Sequence, residues 1–276
     1  RVTVPGARFG SAPELVPGFK TAGVVTVNGG TLNAYLLRVG TTGNGTFNPN
    51  SGGPILTDQI YSKGSTGLFY FNGGTLGIST LNPGRTPANW IYSLTHAYVS
   101  TNGAVIDTSN NGGHVYSISQ ALETDPALGV TPDGGLTNQG AGTFTLANAN
   151  TYTGPTLING GTLALGGVGS IASSALIGVT NGATFDVAGL SSTFTLGSGQ
   201  TLSNSAASTG NLNGSLNTGS GTVALSYDGT GSTPALNLAS GTLTLSAATS
   251  FVIDNTGAQL ADGIYQIITN SGTATI

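Results

Sequence analysis

The 276-residue chain has no cysteine, no methionine and a single tryptophan, Trp90. Without cysteine, no disulfide framework can hold it together. Charge is scarce too: Asp, Glu, Lys and Arg make up 6% of the residues, against about 25% in an average domain. Glutamate occurs twice (Glu14, Glu123) and lysine twice (Lys20, Lys63), which removes the residues that helical bundles and coiled coils are built from. No run of 18 apolar residues exists, so nothing reads as a membrane-crossing helix. A net charge of only −4 beside 38% hydrophobic residues excludes an intrinsically disordered chain. Glycine is abundant, at 46 residues, but follows no three-residue period, which excludes collagen. What remains is an all-β chain with very many turns.

The chain opens at Arg1, with no basic segment leading into an apolar one, and reads as the mature form of an exported protein. The absence of cysteine suits an oxidising exterior. Charge is unevenly spread. All six basic residues (Arg1, Arg8, Lys20, Arg38, Lys63, Arg85) lie in the first 85 positions, beside only Glu14 and Asp58. From 86 onward there are eight acids and no base. Six cations over 85 residues are too sparse to track a phosphate backbone, so nucleic acid is not an expected partner.

A repeat is present. Asn28-Gly29-Gly30-Thr31-Leu32, Asn72-Gly73-Gly74-Thr75-Leu76 and Asn159-Gly160-Gly161-Thr162-Leu163 are one pentapeptide, with starts 44 and 87 residues apart. Asn181-Gly182-Ala183-Thr184-Phe185 follows 22 residues after the third. Asn and Gly tolerate positive φ and place a turn. The residues after them alternate, as in Thr143-Phe144-Thr145-Leu146 and Thr242-Leu243-Thr244-Leu245, so the apolar side chains share one face of a strand. Strands of four to six residues fit a sandwich or a solenoid. A period near 20–22 favours the solenoid, because each coil must match its neighbour's perimeter. At that period the chain predicts roughly 12–14 coils. Turn Asn, Ser and Thr can stack on themselves from coil to coil, whereas like charges cannot, and this accounts for the low charge.

Three regions stand out. Residues 1–22 hold Pro5, Pro13 and Pro17 and read as an extended N-terminal arm. Residues 23–141 are less regular and aromatic-rich, with 82–90 and 123–141 read as loops and at most a helical turn or two at 118–123. Residues 142–276 are the most regular part.

At Gly140-Ala141-Gly142-Thr143-Phe144-Thr145-Leu146-Ala147-Asn148-Ala149-Asn150-Thr151-Tyr152-Thr153-Gly154, followed by Asn159-Gly160-Gly161-Thr162-Leu163, the chain resembles the autotransporter-associated β-strand repeat, also called the passenger-associated transport repeat. The likeness is specific over residues 140–167. It departs at Pro155, which would shorten the next strand. The resemblance implies a right-handed parallel β-helix on the outside of a bacterium, serving adhesion or surface structure, and it brings no catalytic residues.

Chemistry-bearing residues are few. A glycosidase needs two carboxylates within about 5–10 Å, and the only sequence cluster is Glu123, Asp125 and Asp133, with Asp107 and His114 nearby. Asp125-Pro126 and Pro132-Asp133-Gly134 read first as turns, with a calcium site near Asp125 and Asp133 as the lesser reading. His96 and His114 stand alone, without the cysteines a zinc site favours. The aromatics of 69–98 read as core before they read as a sugar-stacking strip. The chain is therefore expected not to be an enzyme and to need no cofactor. An uncapped solenoid exposes unpaired backbone at its ends, and the basic and acidic portions would attract head to tail. The expectation is a secreted structural subunit of an extracellular fibre or coat, with itself as partner and Pro5, Pro13, Pro17, Thr273 and Ile276 at the assembly ends. A monomeric adhesive rod, with surface glycans as its partner, and a polysaccharide-degrading enzyme are the alternatives.

Overall fold

The computed structural model of the chain is a parallel β-solenoid of about 9 turns. It describes residues 2–5, 9–17, 21–50, 52–81, 89–110, 114–180, 182–204, 208–227, 234–255, 257, 259 and 262–271, with backbone only before Glu14. Among these, every pairing of strands is parallel. One ladder stacks Val2–Pro5, Gly23–Asn28, Gly45–Pro49, Gly67–Phe71, His96–Val99 and Leu122–Thr124.

On the far side of the coil, Phe9–Leu15, Leu32–Arg38 and Ile55–Tyr61 form a second ladder of long strands. Ile55–Tyr61 then splits its pairing. Leu56 lies beside Gly77 of Thr75–Gly77, and Ile60 beside Ile91 of Ile91–Tyr92. From there two ladders run on separately. One passes through Leu136–Gln139 and Thr201–Asn204 to Ser250–Asn255. The other passes through Thr143–Leu146 and Thr162–Gly167 to Ile268–Asn270.

Alternation builds the core. In Thr143–Leu146 the two threonines are half-buried and Phe144 and Leu146 are buried. Because the strands are in register, inward residues form columns along the axis. Tyr116, Phe144, Leu163, Phe185, Leu212 and Leu238 succeed one another coil by coil, all buried. Each such side chain contributes roughly 1.5–3 kcal/mol by leaving water. Glycine is required where coils nearly touch: a Cβ on Gly53 would lie 1.7 Å from the Gly30 carbonyl oxygen.

Several expectations are corrected. The turns number about 9 rather than 12–14. The coil perimeter is not constant: ladder partners are 20 residues apart at Asn150 and Ser170 but 32 apart at Gln139 and Asp107. Residues 1–22 are not a free arm where described, since Val2–Pro5 and Phe9–Leu15 pair in parallel with Gly23–Asn28 and Leu32–Arg38. Alternating apolar residues in this stretch, such as Val2 and Val4, give it strand character despite its prolines. Residues 118–123 are not helical: Val115–Ile118 and Leu122–Thr124 are strands. The segment 123–141 is not all loop, because Leu136–Gln139 is a rung. The loop at 82–90 lies mostly outside the described residues.

Candidate functional site: inter-coil ladders and the C-terminal end

The repeated pentapeptide does not keep one place on the coil. Leu32 and Leu76 flank Ile55 in one ladder, two coils apart, so the 44-residue step is two turns. Leu163 instead lies in register with Phe144 and Phe185, in another ladder. The 87-residue step is therefore not four turns. A turn that needs only Asn, Gly and positive φ fits any corner. The positive φ falls on Gly29, Gly30 and Gly73 in the first two copies, on Gly161 rather than Gly160 in the third, and on Gly182 in the variant. Asn181 lies outside the described residues.

Asn28 and Asn72 belong to a column of amides. Asn50 Nδ2 donates to Asn28 Oδ1 at 2.6 Å, Asn72 Nδ2 to Asn50 Oδ1 at 3.2 Å, and Asn102 Nδ2 to Asn72 Oδ1 at 2.9 Å. Every bond runs toward the preceding coil. A second column joins Asn211, Asn237 and Thr269 at 3.1 and 3.2 Å. Asn159 is held by Thr180 Oγ1 at 3.1 Å. An amide carries both donor and acceptor, so it can repeat indefinitely along an axis.

The acidic residues are occupied by local hydrogen bonds. Asp133 Oδ1 accepts from the Gly135 and Gly154 N–H groups at 2.8 and 2.9 Å, and Oδ2 accepts from Thr124 Oγ1 at 2.5 Å and the Thr153 N–H at 2.8 Å. Burial pushes this carboxyl up, but the donors from Thr124, Thr153, Gly154 and Gly135 prevail and hold it below the usual carboxylate value. Asp125 accepts from Ser100 at 2.5 Å and caps the single 3-10 turn at Pro126–Leu128 through the Ala127 N–H. Glu123 pairs with His96 at 3.0 Å. Asp107 accepts from the Ser109 N–H at 2.8 Å. Among the described residues, no three of these groups converge as metal ligands would.

The aromatics of 69–98 divide by face. Phe69, Phe71 and Trp90 are fully buried. Tyr70 and Tyr98 point outward and stack on each other at 5.2 Å. His96 lies flat on Tyr98 at 4.9 Å.

The C-terminal coil differs from the rest. The inward column Ile177, Leu202, Val223 is buried, and its next member is Phe251, 43% exposed. Leu225 is buried and its partner Ile253 is 46% exposed; Val252, between them, is 48% exposed. No residue of Ser250–Asn255 is buried. The sequence signals this end by three consecutive apolar residues in a chain that otherwise alternates, a signal the sequence reading passes over. Of the expected assembly residues, Pro5 and Pro13 lie in the strands of the first coil, and the Pro17 carbonyl accepts from the Gly40 N–H at 2.9 Å. Thr273 and Ile276 lie outside the described residues.

Parallel coils in register, amide columns and turns held by a buried carboxylate define a β-solenoid. Within it, residues 136–165 match the family profile of the passenger-associated-transport-repeat. No curated protein and no solved structure matches the chain. The matched stretch is the part organised by Asp133 and Asn150: Asn150 Oδ1 accepts from the Leu122 N–H of one coil, and its Nδ2 donates to the Ser170 carbonyl of the next. A passenger-associated repeat built into a parallel solenoid makes this an autotransporter-like passenger domain, of a kind associated with surface or secreted proteins. No helix among the described residues is long and apolar enough to cross a membrane.

Proposed function

We propose that the chain is a secreted structural protein, a rod whose C-terminal coil accepts the first coil of a second copy and so extends into an extracellular fibre or coat. The observation that supports this is the uncovered core column at Phe251 and Ile253, which one more coil in register would close. Main-chain groups on that coil are available for parallel pairing. Charge favours a head-to-tail order, with every base in the first 85 residues and Asp254 and Asp262 at the other end. Contacts of this heterologous kind do not close on themselves and give filaments.

The role is non-catalytic and needs no cofactor. Hydrogen bonds from Gly135, Thr153 and Gly154 to Asp133 do for this turn what a calcium ion would do. Tyr70 and Tyr98 spend ring faces on each other, which favours a structural column over a sugar platform. Sedimentation velocity with negative-stain microscopy tests the reading. The wild type should form concentration-dependent rods of many subunits, and Phe251→Asp should leave one small species. A wild type that stays small at every concentration would overturn assembly in favour of a monomeric rod.

A further inference from the structure

Asp58 is 1% exposed, and neither carboxylate oxygen has a hydrogen-bond partner. It sits where the ladders on both sides of its strand are interrupted. Toward the preceding coil, Thr57 pairs with Ala34 and Gln59 with Leu36, leaving Tyr35 and Asp58 unmatched. Toward the following coil, Leu56 pairs with Gly77 and Ile60 with Ile91, and the chain between leaves the ladder. Trp90 re-enters there. Its indole Nε1 donates to the Thr57 carbonyl at 2.9 Å, its carbonyl accepts from the Ile60 N–H at 2.7 Å, and its ring meets Tyr116 edge-on at 5.8 Å.

An ionised carboxylate here would be buried without a counter-charge, a state that costs more than any ordinary core polar group. The titratable groups around it are phenols. Tyr116 is held above its ordinary value by burial and, next, by the charge of Asp58, and Tyr35 occupies the unmatched position opposite. No Lys, Arg or His among the described residues offsets the charge, and burial alone lifts the Asp58 carboxyl to about 6.

We propose that Asp58 is a proton-operated latch: neutral, it seals the aromatic coil beneath Trp90, and ionised, it loosens the contact between Ile55–Tyr61 and Trp90. A carboxyl raised in the folded state stabilises fully below its unfolded value of 3.8, and that stability is lost as pH rises through about 6. The rod would thus be tight in mild acid and loose at this coil above neutrality.

Trp90 is the only tryptophan, so its fluorescence reports on this contact without labelling. In wild type, the emission should shift to longer wavelength as pH rises from 4.5 to 7.5, centred near 6, and the melting temperature should fall by roughly 5 °C over the same change. Asp58→Asn and Asp58→Leu should each abolish both responses; the leucine form covers the case in which the buried amide impairs folding. A wild type with no emission change, or variants that keep the transition at the same midpoint, would overturn the latch.

Discussion

Asp133 and Thr153 are 20 residues apart in the chain and one coil apart in space, joined by the Thr153 N–H donating to Asp133 Oδ2 at 2.8 Å. The same carboxylate holds the Gly154 N–H of that coil and the Gly135 N–H of its own turn. One side chain therefore fixes the height of one coil over the next. The Asp-Gly-Gly and Thr-Tyr-Thr-Gly parts of the repeat are two halves of one hydrogen-bonded corner.

Replacing Asp133 by alanine strands three buried N–H groups, each costing about 1–3 kcal/mol when left unsatisfied. The expected loss in denaturant unfolding is about 3 kcal/mol, since some donors find water. Asp133→Asn keeps the size but offers one acceptor oxygen instead of two, and should lie between alanine and wild type. An alanine variant as stable as wild type would remove Asp133 from this role.

Two carboxylates give the molecule opposite acid responses. Asp133 has a lowered value, so its contribution is present above the unfolded 3.8 and lost as pH falls below it. Asp58 has a raised value, so its contribution is full in acid and lost through about 6. Thermal stability should peak between those windows, in mild acid. Melting curves taken across pH check this: Asp58→Leu should flatten only the neutral side of the peak, and Asp133→Asn only the acid side.

The amide column predicts a positional effect. Asn50 makes two ladder bonds, one to Asn28 and one to Asn72, while Asn28 makes one with Asn50 and faces Pro5 in the preceding strand. Asn50→Ala should cost about 1–2 kcal/mol and Asn28→Ala about half of that. Equal losses in urea unfolding would mean that the bonds do not act as a column.

Glycine positions separate strain from collision. Gly29 has φ of 88° with nothing within 4 Å of a built Cβ, whereas Gly135 has φ of 73° and would place its Cβ 2.0 Å from the Pro155 carbonyl oxygen. Gly29→Ala should cost about 1 kcal/mol from backbone strain alone. Gly135→Ala must also push one coil off the next and should cost several-fold more, measured as midpoint shifts in denaturant.

Much of this architecture was legible in the residues. Alternation in Thr143–Leu146 and Thr184–Leu190 marked the inward faces, and the Asn-Gly turns marked corners. The likeness at Asn150 and Tyr152 marked the repeat itself. Which corner a turn occupies was not legible, because Asn159-Gly160-Gly161 is locally identical to Asn28-Gly29-Gly30 and only the neighbouring coil decides its place. The number of turns was overestimated for the same reason: the 32-residue step at Gln139 leaves no trace in a pentapeptide count. Asp58 was legible only as an acid in a strand, since its isolation depends on where the next coil departs. The open end at Phe251 was written in Phe251-Val252-Ile253, a break in alternation that became meaningful only once the column before it was seen to be buried.

The same substitution at two places along the rod should separate folding from assembly. Phe144 is fully buried between Tyr116 and Leu163, so Phe144→Ala leaves a cavity and should cost about 3–5 kcal/mol. In a solenoid each coil rests only on its neighbours, so the damage should open the rod locally, with new protease cleavage near residues 140–150. Phe251 has no coil above it and is 43% exposed, so Phe251→Ala should move the melting temperature of the dilute protein very little. At high concentration the order reverses: Phe144→Ala rods still join, while Phe251→Ala loses the side chain that a second copy would bury. If Phe251→Ala lowered the dilute melting temperature as far as Phe144→Ala, the terminal coil would be part of the closed core, and end-to-end growth would have to use another surface.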